Sequence, residues 1–138
     1  MIVFDSCALT EMVLKSDEGK ALQELALRNE KKIACNLVHA ELASIWRKLV
    51  RTNEIPRHAA GQYYAEAIAL VDEFVPMEEL MPEAMQEGIR LDHSTYDMFH
   101  FVLARRTGGT LFTCDRRLMQ LCENNGIDCV HEIDLSAN

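Results

Sequence analysis

Apolar and polar positions along the 138 residues fall into short runs that alternate between two periods. Ile2-Val3-Phe4 opens the chain as a brief apolar run that stops at Asp5, the pattern of a buried strand. Ala8 to Leu14 then reads as a short helix. A second helix is capped by Asp17, with Leu22, Leu25 and Ala26 at helical spacing. Lys32 to Cys35 is a second strand, after which Asn36 caps an amphipathic helix whose stripe is Val38, Leu42, Ile45, Trp46 and Leu49. Pro56 suits a first helical turn, and the helix it opens runs to about Asp72 through Tyr64, Ala67, Ile68 and Val71.

Phe74-Val75 forms a brief strand before Pro76, and Glu78 to Leu91 forms a helix whose start Pro82 restricts. Ser94 to Thr107 is a helix stopped by Gly108-Gly109. Thr110 to Cys114 is a strand ending on Asp115, Arg116 to Asn124 a last helix stopped by Gly126, and Ile127 to Val130 a closing strand. Strands alternating with helices predict an α/β domain: a central, mostly parallel sheet with helices on both faces. There is no internal repeat, low-complexity segment or linker, so residues 1–138 read as one domain.

Composition narrows the function. The hydrophobic fraction of 49% is that of a globular protein. Acids exceed bases by 22 to 14, and the net charge of -8 argues against gripping nucleic acid through a broad basic surface. A nuclease stays compatible with that charge, because bound cations can carry phosphate contacts. The five cysteines form no C-x-x-C pair; Cys7, Cys35, Cys114 and Cys129 sit in or beside apolar runs, where a free thiol acts as a small hydrophobe. This usage fits a reducing cytosol, and with no signal peptide and no apolar stretch of membrane-spanning length the expectation is a cytoplasmic, soluble protein.

In sheets of this kind ligands gather outside the carboxyl ends of the strands, where strand order switches. Asp5 and Asp115 each stand directly after a strand; Asp97 lies near the start of the Ser94 helix and Glu41 in the first turns of the helix after the second strand. Four acids from four segments can converge there, and like charges that close need a cation. Mg²⁺ or Mn²⁺ accepts carboxylate oxygens while keeping waters for reaction, which suits phosphodiester hydrolysis. Each acid also has a plainer use. Asp5 and Asp115 can cap the helices after them, Asp97 stands at capping-box spacing from Ser94, and Glu41 can be a solvated helix acid.

Asp5-Ser6-Cys7-Ala8-Leu9 after an apolar strand resembles the opening of PIN-domain ribonucleases, and His39-Ala40-Glu41-Leu42 resembles their second motif. The more specific stretch is Asp92-His93-Ser94-Thr95-Tyr96-Asp97, followed by Phe101-Val102-Leu103-Ala104, Gly109 and Leu111-Phe112-Thr113-Cys114-Asp115. It is similar to the third and fourth motifs of VapC-like toxins. The resemblance implies a three-layer α/β/α PIN-like domain with about five short strands. It further implies a Mg²⁺- or Mn²⁺-dependent endoribonuclease, with metal held by Asp5, Glu41, Asp97 and Asp115 and supporting hydroxyls at Ser6 and Thr113. A homodimer is implied too, with an antitoxin whose basic residue enters the acidic crevice. Cys7 departs from the family where a small hydroxyl residue is frequent, and Arg117 where some members carry another acid.

Arg116 is a candidate phosphate contact, with a solvated helix face as the alternative. His93 and His100 lack zinc-site spacing; His93 is expected to order the loop before the helix. Trp46, Tyr63, Tyr64 and Phe99 can stack on bases, but helical spacing favours packing. Two other functions stay open at this point: a non-catalytic PIN-like module binding RNA or protein, and phosphotransfer through an aspartate, against which Cys7 stands where a phosphatase wants a second acid.

Overall fold

The computed structural model describes residues 1–26 and 30–130. Five strands, β1 (Ile2–Phe4), β2 (Lys32–Cys35), β3 (Glu73–Val75), β4 (Thr110–Phe112) and β5 (Cys129–Val130), form one sheet in the order β3-β2-β1-β4-β5. All four pairings are parallel. The chain builds outward from β1 through β2 to β3, then returns to the other side of β1 for β4 and β5. The direction of winding therefore reverses between β1 and β4.

Alternation along the strands divides the core into two layers. Ile2, Phe4, Ala34 and Phe112 face one layer, where they meet α1 (Ser6–Leu14), α2 (Asp17–Ala26), α3 (Val38–Arg51) and α4 (Ala60–Ala69). Val3, Ile33, Cys35 and Leu111 face the other, against α5 (Met77–Leu91), α6 (Thr95–Thr107) and α7 (Arg116–Asn124). Phe4 and Phe112 meet edge to face, with ring centroids 5.6 Å apart, across the central strand pair. Trp46, Leu22 and Leu42 are buried in the first layer, and Phe101, Met98 and Leu118 in the second. The three-layer α/β/α architecture expected from the sequence is thus present. No helix among the described residues is long and apolar enough to cross a membrane.

Several local expectations are corrected. Asn36 does not cap α3: its Oδ1 accepts the backbone N–H of Met77 and so opens α5 instead. Asp17 is the first residue of α2, and the Ser16 hydroxyl takes the capping role by accepting the Gly19 N–H. The segment after Pro56 is split into a 3₁₀ turn at Arg57–Ala59 and α4. Pro82 lies inside α5 without setting its start. β4 ends at Phe112 because the Thr113 side chain turns the chain, accepting the Asp115 N–H at 3.0 Å. The glycine stop is as expected: Gly108 ends α6 in the left-handed conformation at φ 65°.

Candidate active site

Asp5 and Asp115 leave the carboxyl ends of β1 and β4, the two strands flanking the reversal of winding. Each also caps the helix it precedes. Asp5 Oδ1 accepts the Ala8 N–H at 2.8 Å, and Asp115 Oδ1 accepts those of Arg117 and Leu118 at 2.9 and 3.2 Å. The capping role and the strand-end position therefore coexist in the same residues. Capping spends one oxygen of each carboxylate and fixes where the other points.

Asp97 sits in the first turn of α6, but the capping-box alternative fails. Ser94 makes no side-chain cap, and Asp97 Oδ2 accepts instead from His93 Nε2 at 2.8 Å. His93 thus serves the acid directly rather than ordering the loop before it. Glu41 projects from α3, and its Oε1 accepts from His100 Nε2 at 2.9 Å. His100 stands one turn beyond Asp97 on α6 and is 1% exposed. This bridge joins a helix of one layer to a helix of the other.

The four acids share one crevice. Ligand atoms of Asp97, Asp115 and His93 lie within 4.8 Å of one another, the one such group among the described residues. Asp5 feels the charges of His100 and Asp97, and His100 in turn feels Glu41, Asp5 and Asp97. Glu41 and Asp97 line a cavity of about 480 Å³ with Ser6, Leu37, Ile45, Lys48 and Tyr96. Contact and charge thus link Asp5, Glu41, Asp97 and Asp115 in one neighbourhood, with carboxylate oxygens of Asp97 and Asp115 within 4.8 Å of each other.

The electrostatics reflect that crowding. Burial pushes the Asp5 carboxyl up to about 6, against the opposing pull of His100, a Thr113 hydrogen bond and the Ala8 N–H. Burial alone would lower His100, but the hydrogen bond and charge of Glu41, with Asp5 and Asp97, raise it above its ordinary value. Thr113, fully buried, couples Asp5 to the Asp115 backbone. Ser6 is buried at the cavity wall, with its carbonyl accepting from Thr10.

Other residues fall differently. Cys7 is exposed, contrary to the reading of it as a small core hydrophobe; desolvation and the charges of Asp5, Asp115 and Asp97 push its thiol up to about 12. The Arg116 side chain is exposed and makes no hydrogen bond or ion pair among the described residues, whereas Arg117 donates to the Asp92 carbonyl at 3.1 Å. Trp46 and Phe99 are core residues, as helical spacing suggested. His100 was the functional candidate that spacing did not single out. Its one legible signal is its place three residues after Asp97, on the same face of α6.

An α/β domain with acids at its topological switch invites comparison with known proteins, and residues 2–124 match the PIN domain. The chain belongs to the PIN domain family. This PIN domain superposes on PAE2754 from Pyrobaculum aerophilum with a TM-score of 0.73 at 20% identity, covering 99% of this chain and 90% of the other. It is also similar to VapC20 of Mycobacterium tuberculosis, described as a sarcin–ricin-loop-cleaving toxin: TM-score 0.67, 20% identity, 96% of this chain and 100% of that one. VapBC2 from Rickettsia felis, solved on a DNA fragment from its promoter, gives a TM-score of 0.65 at 15% identity, with 96% and 100% covered. At these identities the likeness concerns the fold. No curated protein sequence matches the chain.

Proposed function

We propose that this PIN domain is a divalent-metal-dependent endoribonuclease, the toxin of a toxin–antitoxin pair. The observation that carries the reading is the gathering of Asp5, Glu41, Asp97 and Asp115 from β1, α3, α6 and β4 into one crevice at the switch in strand order. Acids so placed repel one another, and the burial of Asp5 adds to the cost. The donor set is mostly carboxylate oxygen, and the two nearby imidazole nitrogens, His93 Nε2 and His100 Nε2, are already committed to Asp97 and Glu41. That chemistry fits Mg²⁺ or Mn²⁺. Asp97 and Asp115, with Asp5 and Glu41, would hold the ion. When bound, it supplies a stronger water nucleophile and neutralises charge on the phosphate.

The protein's own groups arrange the rest. Hydrolysis joins a water oxygen to phosphorus and releases the bridging sugar oxygen with a proton. Burial holds the Asp5 carboxyl at about 6 in the metal-free site, so a cation there also offsets the cost of its charge. Tyr96, 63% exposed at the cavity rim beside Asp97, offers a face for a base, and Lys48 in the same wall suits a phosphate. The similarity to VapC20, a sarcin–ricin-loop-cleaving toxin, supports the substrate class. A net charge of -8 and an acidic crevice suit an antitoxin segment that inserts a basic residue, in a cytoplasmic homodimer.

The test incubates purified wild type and Asp97→Asn with total cellular RNA and Mg²⁺ or Mn²⁺. Wild type should produce discrete new RNA ends and Asp97→Asn none. Intact RNA with wild type, or equal cleavage by the variant, refutes the reading.

A further inference from the structure

The four carboxylates are held in two different ways. Asp5 and Asp115 are fixed by backbone N–H groups of the helices they cap. Asp97 and Glu41 have no such donor, and each is held by one imidazole: His93 Nε2 on Asp97 Oδ2 at 2.8 Å, and His100 Nε2 on Glu41 Oε1 at 2.9 Å. The two rings are almost wholly buried, with side-chain exposures of 5% and 1%. In each ring Nδ1 is buried with no hydrogen-bond partner among the described residues. A ring half paired in a packed interior is worse than an apolar side chain of the same shape unless its one bond does something. That bond is the sole side-chain hydrogen bond each ring makes among the described residues, and it ends on an acid of the crevice.

We infer that His93 and His100 are positioning residues, which lock the rotamers of Asp97 and Glu41 so that the second oxygen of each faces the cation-binding crevice. This rests on the metal-dependent reading above. Both second oxygens, Asp97 Oδ1 and Glu41 Oε2, are without a hydrogen bond among the described residues, and both side chains line the cavity. A neutral ring protonated on Nε2 still donates this bond, and it leaves Nδ1 as a lone pair rather than an orphaned N–H. The tether thus works in either charge state. His100 has the larger task, since its bond to Glu41 spans α6 to α3 and sets the distance between acids from the two layers.

Mn²⁺ affinity, read by electron paramagnetic resonance on the full chain, tests the inference without cleavage. Loss of an outer partner of a metal ligand typically weakens metal binding about 10- to 100-fold, and His100→Leu and His93→Leu should each do so. His100→Gln, whose amide N–H reaches the place of Nε2, should stay close to wild type, while the shorter His100→Asn should behave like His100→Leu. In a Glu41→Gln background, His100→Leu should weaken Mn²⁺ binding no further. Unchanged affinity in His100→Asn and His93→Leu overturns the inference, as does an additive effect in the double variant. The tether also has a metal-free readout: the ¹⁵N resonances of the His100 ring should move in Glu41→Gln, and an unmoved spectrum overturns it. Wild type that binds no Mn²⁺ but shows that movement refutes the metal reading alone.

Discussion

Asp5→Asn should raise the stability of the metal-free protein while removing its metal site, and the size of the gain can be worked out. The Asp5 carboxyl is 5% exposed and has been pushed from its ordinary 3.8 to about 6, first by burial and then by the charge of Asp97, against His100, Thr113 and Ala8. A folded-state value above the unfolded one means that ionisation costs the folded state. That difference corresponds to about 3 kcal/mol. Wild-type stability should therefore fall, relative to Asp5→Asn, as pH rises from about 4 to 6, and the deficit should be constant above that. Asn keeps an acceptor for the Ala8 N–H, so the helix cap survives.

Thermal unfolding in chelator, followed by circular dichroism from pH 4 to 8, gives the comparison. The variant should melt about 10 °C higher at pH 7.5 and nearly level with wild type at pH 4. Adding Mn²⁺ should close the gap by stabilising wild type only, by about 2.7 kcal/mol at a hundredfold excess over its dissociation constant. A gap that does not change with pH would refute the account of Asp5 as a charge strained by burial. Mn²⁺ stabilisation of both proteins equally would remove Asp5 from the cation site.

Thr113→Val keeps shape and removes a hydroxyl that accepts the Asp115 N–H and hydrogen-bonds to Asp5. It should destabilise the fold by about 1–3 kcal/mol in urea titrations and move the midpoint of the Asp5-linked pH dependence upward. Tyr96→Ala should weaken binding of a single-stranded RNA by about 1–3 kcal/mol in fluorescence anisotropy with the inactive Asp97→Asn protein, and Tyr96→Phe should not. Equal binding by the alanine variant would place the base elsewhere.

The parts of the fold legible in the sequence were those specified locally. β1 and β2 are short apolar runs with polar stops, and their limits at Ile2–Phe4 and Lys32–Cys35 coincide with expectation. Asp5 and Asp115 were visible because strand ends and caps are local features. What stayed hidden depended on partners far along the chain. Asn36 has the composition of a helix cap, yet its acceptor is used 41 residues away on Met77. Glu41, weakest from spacing alone, is defined by His100, 59 residues on. His93 looked like a loop residue because nothing in the spacing says that its ring turns toward Asp97 rather than away. The cost of an orphaned Nδ1 is a property of packing, and no pattern of residue types records it.

The pairing of β1 with β4 sets Ile2 beside Thr110 and Phe4 beside Phe112 at the middle of the sheet. So the strand made first completes its ladder only with one made more than a hundred residues later, and such distant pairings form slowly. During synthesis the growing chain can assemble β1, β2 and β3 with the helices of one layer, but Asp115 and its neighbour Thr113 are still missing. The last carboxylate arrives with the strand that joins β1 on its second side, before β5 completes the sheet. The acidic crevice is therefore acquired only once β4 has docked on β1, and a chain that lacks β4 carries acids without their last partner.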